Sequence, residues 1–586
     1  MLTFKLIAMR YVNIKNIVLV LFSSLVMGAC NKALDLNPQD QLSDANYWKS
    51  PADFKEYANQ FYGWLRDFSG VISDGPHSDY RSDLMTDKTP NIYSNGTNTI
   101  PATDGNYTGA YSRIRTINTL LEHAHSYNDS ASIAVSIAEA KFFRAYTYFD
   151  LLQLYGNAII VKSVLNTTSP ELSASRNSRD SVTDFIIRDL QEAIPALPLQ
   201  SGIATADAGR VSRGAAQAFL SRVALYEGTW DKFRSLNTSK AQEYLKIAAD
   251  AAKDVIDSKE YSLFEPVSLG DSAQKYMFIL EDTKSNPAGL KKADNHEYIL
   301  VKKHDEVIAP IGTNITKGQL ANVVLVNGKF VNMYLCSDGL PIEKSPKFKG
   351  YSEFATEFES RDNRMRYTLL EPNKPYWSNA KYRITWNGDE ADLANAASQA
   401  MVPTAGSGYQ NQKWASERHV SDTYEGYDFP VIRYAEVLLN YAEAKFEQDE
   451  MISDADLNLS LNLVRLRVNK DMPELSNAFV SANGLDMRTE IRRERTIELY
   501  NEGFRVDDLK RWYTAGTEMP KNIIGIVWKG TQYEKAWSAA ASMGTDTQGR
   551  LIIQSGRVWA EKNYLYPIPS DQLKLNKNLG QNDGWN

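Results

Sequence analysis

Apolar residues recur at helical spacing through the first half of the chain. In SIAEAKFFRAYTYFDLLQLYG, Ala138, Phe142, Ala145, Phe149 and Leu152 fall at alternating steps of four and three, which puts them on one stripe of a helix, and Gly156 is placed to end it. The run SRGAAQAFLSRVALYEG predicts a second helix, with Ser212 in position to cap its start, Ala216, Leu220 and Val223 on one face, and Gly228 at the expected stop. A third follows in SKAQEYLKIAADAAKDVI.

Small residues such as Ala215, Ala218, Ala248 and Ala252 let such helices approach closely, as in tetratricopeptide helix pairs, although no fixed period of about 34 residues marks a regular solenoid. From residue 266 to about 415 the periodicity fades. Segments such as EPNKPYWSNAKYRITWNGDE and PTAGSGYQNQKW mix Gly, Asn, Pro, Ser and aromatics, which predicts loops with short strands. Within NVVLVNGKFV the pair Asn327-Gly328 fits a hairpin turn, while GKFVNMYLC equally fits the opening of a short helix. Helix returns in FPVIRYAEVLLNYAEAKFE, with Ala435, Leu438, Leu439 and Ala442 as the buried face, then in LNLVRLRVN and in the charged TEIRRERTIELYNEGFRVDDLKRW.

The N-terminus has a different pattern. Lys5, Arg10 and Lys15 precede an apolar run from Ile17 to Met27, and Gly28 and Ala29 stand just before Cys30. That is the layout of a signal peptide, with an apolar run well short of the ~20 residues a membrane-spanning helix needs. A cysteine directly after the small residues suits a thiol that is acylated before cleavage, so Cys30 is the expected lipidation site. Stable anchoring takes more than one acyl chain, which a lipoprotein cysteine supplies. Cys336 is then the second and last cysteine, so neither a disulfide nor a cysteine-based zinc site can be built. The fold must hold by burial, and 586 residues with 43% hydrophobic content suffice for one large domain or a closely packed pair. Removing the leader takes away three positive charges from a chain whose formal charge is already -7, which argues against a nucleic-acid partner.

Glu494, Glu498 and Glu502 are spaced four apart, as on one helix face, and paired carboxylates are what glycosidases use. Arg492, Arg493, Arg495, Arg505 and Arg511 lie among them, and Arg465 and Arg467 can face them from the neighbouring helix, so an ion-pair network is the preferred reading. The six histidines, His77, His123, His125, His296, His304 and His419, lack zinc-site spacing, and no nucleophile elbow, P-loop or dinucleotide fingerprint occurs. No cofactor or metal is expected. The loop DGPHSDYRSDLMTDKTPNIYSNGTNTIPATDGNY offers flat rings beside polar groups, as sugar recognition requires. It nominates Asp79, Tyr80, Arg81, Tyr93 and Asn95 as ligand contacts, and Trp377, Trp386 and Tyr409, with Tyr382 beside them, extend the list in the second half.

The blocks EAKFFRAYTYFDLLQLYGNAIIV, RVSRGAAQAFLSRVALYEG, IRYAEVLLNYAEA, LNLVRLR, ERTIELYNEGFRVDDLKRW and YLYPIPSDQLKLNKNLGQNDGW, in this order, resemble the signature blocks of the SusD/RagB family of outer-membrane lipoproteins. The stretch LDLNPQDQLSDANYWKSPADF is similar to that family's N-terminus. The resemblance implies a mostly α fold, a tetratricopeptide-like helix-pair scaffold with an irregular loop-rich lobe and a few short strands. It divides the chain into a signal peptide (1–29), an N-terminal helical region (30–265), the loop-rich lobe (266–415) and a C-terminal helical region (416–586) packing back on the first. It implies a non-enzyme, anchored by lipid to the outer membrane and facing the cell surface, that captures oligosaccharides and hands them to a SusC-like TonB-dependent transporter. A RagB-like peptide binder is the alternative, a secreted glycoside hydrolase a second, and a lid that mainly gates the transporter a third. Ligand contacts in this family follow no shared motif, so no binding residue carries over by matching.

Overall fold

The computed structural model describes residues 47–87, 89–320, 324–353, 355–371, 406–416 and 423–585. Cys30, Trp377, Tyr382 and Trp386 lie outside them.

Helices dominate. The N-terminal half stacks α1 (Gly105–Ser126), α2 (Ala134–Tyr155), α3 (Arg179–Ala193), α4 (Arg213–Arg234) and α5 (Thr238–Ser258), each packed on the next. α6 (Tyr434–Asp449) continues the stack on α5, and α7 (Leu461–Leu466), α8 (Met487–Glu498) and α9 (Arg505–Arg511) follow it in the chain. α2 is central. Its apolar stripe Ala138, Phe142, Ala145, Phe149 and Leu152 is buried as the spacing predicts, and most of its other side chains are buried too because α1 and α3 cover it from both sides. Fully burying one such Phe stabilises by roughly 1.5–3 kcal/mol. Among the polar groups that follow it inward, Arg144 is held by Asp189 at 2.7 and 2.8 Å and by Asn118 at 2.9 Å, so its charge is buried with a partner.

Ser212 caps α4 as expected, accepting the Ala215 N–H at 3.1 Å. Gly228 does not end the helix. α4 runs on to Arg234 and closes on Ser235 in the left-handed region at φ 54°. Gly228 sits where α5 crosses, and a Cβ there would stand 2.9 Å from Leu245 Cγ and 3.0 Å from its backbone nitrogen. The glycine is kept for close helix approach. The sequence signal is the same for both roles.

Among the described residues, three short antiparallel pairs join the remainder. β2 (Tyr298–Lys302) pairs with β4 (Phe429–Arg433), from Tyr298 opposite Arg433 to Lys302 opposite Phe429. The chain leaves the helical stack at β2 and returns beside it at β4, so FPVIR is strand and the helix begins at Tyr434. β1 (Met85–Thr86) pairs with β3 (Leu325–Val326), and β5 (Ile523–Val527) with β6 (Arg550–Gln554). At Asn327 the helical alternative is the one realised: its side chain accepts the Lys329 N–H and caps the helix Gly328–Met333.

Among the described residues the apolar side chains form two clusters. The larger fills the helical stack. The smaller gathers Tyr80, Leu84 and Met85 from the N-terminal loop, Val326, Phe330, Tyr334 and Met365 from the middle, and Trp528, Trp537 and Leu551 from the C-terminal end. The lobe is therefore assembled from three separated stretches of chain. α8 stands between the clusters, giving Ile491 to the first and Ile497 to the second. Among the described residues no helix is long and apolar enough to cross a membrane.

Candidate functional site: an aromatic and polar cleft on the lobe

The charged segment 489–512 is two helices, not one. α8 stops at Glu498, and Asn501 (φ 58°) and Gly503 (φ 82°) turn the chain into α9. Gly503 also packs against Val71 and the His77 carbonyl, where a Cβ would meet them at 3.0 and 3.2 Å. Glu502 thus leaves the face of Glu494 and Glu498, yet all three carboxylates end in one buried network. Arg433 reaches Glu297 and Glu498 at 2.8 Å and Glu502 at 2.7 Å. Arg467 holds Glu297 at 2.7 Å and also binds Glu498. Arg364 contacts Glu494 at 2.5 Å, Glu498 at 3.1 Å and Asp362 at 2.7 Å, while Lys413 holds Glu502 at 2.7 Å. Burial alone would raise the Glu498 carboxyl, but Arg467, Arg433 and Arg364 outweigh it and hold it well below its ordinary value. Arg364, Asp362 and Lys413 come from the lobe, and Arg433 and Arg467 from the helical stack. The network joins the two. The carboxylates are ion-paired, as the ion-pair reading expected, but of the arginines named for it only Arg467 takes part; Arg493, Arg495, Arg505 and Arg511 pair with Glu490, Asp508, Asp83 and Glu443, and Arg433, Arg364 and Lys413 supply the charge instead.

Of the six nominated ligand contacts among the described residues, Asp79, Tyr80, Arg81 and Tyr409 are buried and Tyr93 and Asn95 half-buried. Asp79 is fully buried; its Oδ2 accepts the Asn501 N–H at 2.6 Å and its Oδ1 the Arg505 N–H at 3.1 Å. It fixes the turn into α9, and burial lifts its carboxyl to about 7. Tyr80 belongs to the smaller apolar cluster. Arg81 is tied to Asp74 at 2.6 Å and donates to the Tyr566 hydroxyl at 2.6 Å. Its guanidinium lies 3.8 Å from the centre of the Tyr93 ring, which in turn stacks on Tyr566 at 5.0 Å. Half-buried Asn95 accepts from the Thr97 N–H at 3.2 Å and hydroxyl at 2.6 Å within its own turn. Tyr409 is buried, and its hydroxyl donates to Glu357 at 2.9 Å. These placements share a cause: alternating charged and aromatic residues in a loop also describe a loop folded under its neighbours, and sequence pattern does not separate the two.

The lobe does open a cleft, elsewhere. It has a volume of about 760 Å³ and is bounded by the helix Gly328–Met333, the segment 342–351, Arg493 of α8, β5 and the turn that leads into β6. Phe348 and Tyr351 line it, half-buried, their ring centres 5.0 Å apart at 74°. The Tyr351 hydroxyl donates to Asn332 Oδ1 at 3.1 Å, which holds the ring in place, and burial raises the phenol above its ordinary value, so it stays protonated. Asn522 and Gln548 stand exposed on the opposite wall beside Arg550. Asp546 shapes that wall, accepting the Gln548 and Arg550 N–H groups at 2.9 Å. Lys329 crosses the floor between Asp83 and Glu518. The arrangement supplies apolar ring faces, neutral amides and fixed cations in an open, largely preformed groove, which suits a polyhydroxylated ligand bound without covalent chemistry. The segment KFKGYSEF meets the same ring-plus-polar criterion used for the 74–107 loop, but the opposite wall comes from about 170 residues further along the chain, beyond the reach of local patterning.

The architecture is thus a stack of helix pairs carrying an irregular lobe with an open polar cleft. Comparison with known proteins gives this class a family. Residues 286–585 match the SusD family, and residues 34–225 match the family described as starch-binding and associating with the outer membrane. The chain belongs to the SusD family. A SusD-like protein of Bacteroides ovatus is 23% identical over 97% of this chain and 96% of its own length. Among solved structures, a SusD-like carbohydrate binding protein from Bacteroides fragilis aligns with a TM-score of 0.72 at 22% identity, covering 91% of this chain and all of its own. Surface glycan-binding protein A from Bacteroides fluxus aligns at 0.59 and 17% identity, over 91% and 99% of the two chains.

Proposed function

We propose that this protein is a non-catalytic, lipid-anchored outer-membrane protein that binds oligosaccharide at the cell surface and passes it to a SusC-like TonB-dependent transporter. The single observation that carries the binding reading is the lobe cleft, where Phe348 and Tyr351 offer ring faces beside Asn332, Asn522, Gln548 and Arg550. Stacking on the apolar face of a sugar and hydrogen bonds from amides and a guanidinium require no nucleophile and no displaced proton. The printed names of two structural relatives, a carbohydrate binding protein and a surface glycan-binding protein, point the same way. Glu494, Glu498 and Glu502 are buried under Arg364, Arg433, Arg467 and Lys413. A glycosidase instead needs two carboxyls facing one sugar ring. Anchoring through Cys30 and transfer to a transporter rest on the leader pattern and on family membership.

Isothermal titration against a panel of oligosaccharides tests the binding reading: saturable binding that Tyr351→Ala weakens supports it, and binding to peptides but to no glycan replaces it with the RagB-like alternative. Release of sugar products on incubation with polysaccharide would overturn the non-catalytic part. For location, Cys30→Ser should release the protein from the membrane fraction, and protease added to intact cells should degrade the wild type.

A further inference from the structure

Asp180 stands in the first turn of α3, and Glu227 and Asp231 lie four residues apart on one face of α4. One carboxylate oxygen from each falls within 4.8 Å of the others. Two of the three are partly engaged: Glu227 accepts two hydrogen bonds from Arg179, at 2.5 and 2.8 Å, and Asp180 Oδ2 accepts from the Asn237 amide at 2.9 Å. Asp231 is different. It is only 1% exposed, and its Oδ2 is buried with no hydrogen-bond partner among the described residues.

The surrounding cations do not make up the deficit. Arg179 offsets one of the three charges. Arg234 turns away, donating to the Lys510 carbonyl at 2.7 Å while lying over the Trp230 ring at 3.5 Å and near Tyr513 and Tyr564. Lys240 is taken by Asp184 at 2.9 Å and Glu243 at 3.1 Å. Burial, then Glu227 and Asp180, push the Asp231 carboxyl up to about 7, as expected of an anion lacking a counter-charge.

We propose that Asp180, Glu227 and Asp231 form a binding site for a hard divalent cation, calcium in particular, which clips the start of α3 to the last turns of α4. The donors are all oxygens, which selects against zinc and copper. Calcium takes 6–8 oxygens at about 2.3–2.6 Å in flexible geometry, so two of its ligands can stand up to about 5 Å apart, whereas magnesium demands a tighter octahedron. Each Glu227 oxygen keeps a second lone pair beside its bond from Arg179. Asp180 is half-buried, which leaves a way in and room for waters to complete the shell.

Terbium, a calcium mimic, tests the site in the chelator-stripped mature chain, because Trp230 lies within 3.8 Å of the Arg179 guanidinium and can sensitise its emission. The expected result is saturable tryptophan-sensitised emission, displaced by calcium more readily than by magnesium. Asp231→Asn should lower affinity at least about tenfold, since even outer-shell losses cost 10–100-fold. Asp180→Asn, at a more exposed position, should do the same and serves if the first variant fails to fold. Asp250→Asn, an exposed carboxylate on α5, should change nothing. Absence of sensitised emission from the wild type overturns the proposal, as does emission that survives both Asp231→Asn and Asp180→Asn; Asp231 would then be a buried acid that keeps its proton.

Discussion

The helical stack and the lobe solve the same problem by opposite means. In the stack, residues close in sequence bury one another: α2 packs on its neighbours α1 and α3, and α4 on α5, so the apolar spacing in each segment already states which face is covered. In the lobe, a strand of two residues at Met85–Thr86 finds its partner at Leu325–Val326, and the cleft walls come from residues 329–351 and 521–550. Closing such long loops costs entropy that only distant contacts repay. The difference teaches where binding chemistry can vary. The stack is constrained at nearly every turn, while the lobe's surface loops can change their side chains without disturbing a helix register. The buried ion network around Glu498 lets the one region carry the other.

That comparison breaks first at the network. Arg433→Met leaves Glu297, Glu498 and Glu502 short of a counter-charge, and removing one partner of a buried pair costs about 3–5 kcal/mol. Urea denaturation should show that loss. Loss near zero would mean that the joint is maintained by apolar packing alone.

Acid should act on the same kind of contact within the stack. Burial opposes ionisation of Glu443, but Arg511 outweighs it, with Arg495 and Trp512, and holds the carboxyl at about 2 against an ordinary 4.5. A depressed folded value means that the stabilisation is complete above about pH 4.5 and fades as pH falls toward 2. The shift corresponds to a loss on the order of 3 kcal/mol. Thermal midpoints measured across that window should fall steeply in the wild type and less so in a Glu443→Gln, Arg511→Met pair.

Smaller effects sharpen the contrast. Gly228→Ala gains helix propensity of about 1 kcal/mol but drives a methyl into Leu245, and overpacking costs about 1–3 kcal/mol. A net loss near 1 kcal/mol in chemical denaturation is expected, and a gain would mean that α5 can shift. Ser212→Ala removes the α4 cap and should cost about 1 kcal/mol.

The same contrast explains what was legible in the sequence. The stripe of α2 and the Ser212 cap are local facts and were readable, whereas of the arginines named around Glu494, Glu498 and Glu502 only Arg467 pairs with one of them, the rest of the charge coming from Arg364, Arg433 and Lys413 on other elements. The continuation of α4 past Gly228, the turn at Asn501 and Gly503, and the strand at Phe429–Arg433 were not, because each is decided by a neighbour: α5, Val71 and β2 respectively. Of the ligand nominations from the 74–107 loop, Asp79, Tyr80 and Arg81 are buried. Asp79 and Arg81 carry the right chemistry for a sugar, but Asn501, Arg505 and Tyr566 use it. Cys30, Trp377 and Trp386 lie outside the described residues and stay as expectations from the sequence.

The most direct test of the account is calorimetric titration of wild type, Tyr351→Ala and Arg81→Ala with the best-bound oligosaccharide from a panel, with thermal midpoints measured on the same samples. Tyr351→Ala should weaken binding by about five- to a hundredfold, in line with a lost stacking face of ~1–3 kcal/mol, at an almost unchanged midpoint. Arg81→Ala, which breaks internal contacts with Asp74 and Tyr566, should lower the midpoint and leave the affinity of the folded protein intact. Full affinity in Tyr351→Ala together with lost affinity in a still-folded Arg81→Ala would contradict it, moving the site from the lobe cleft back to the N-terminal loop.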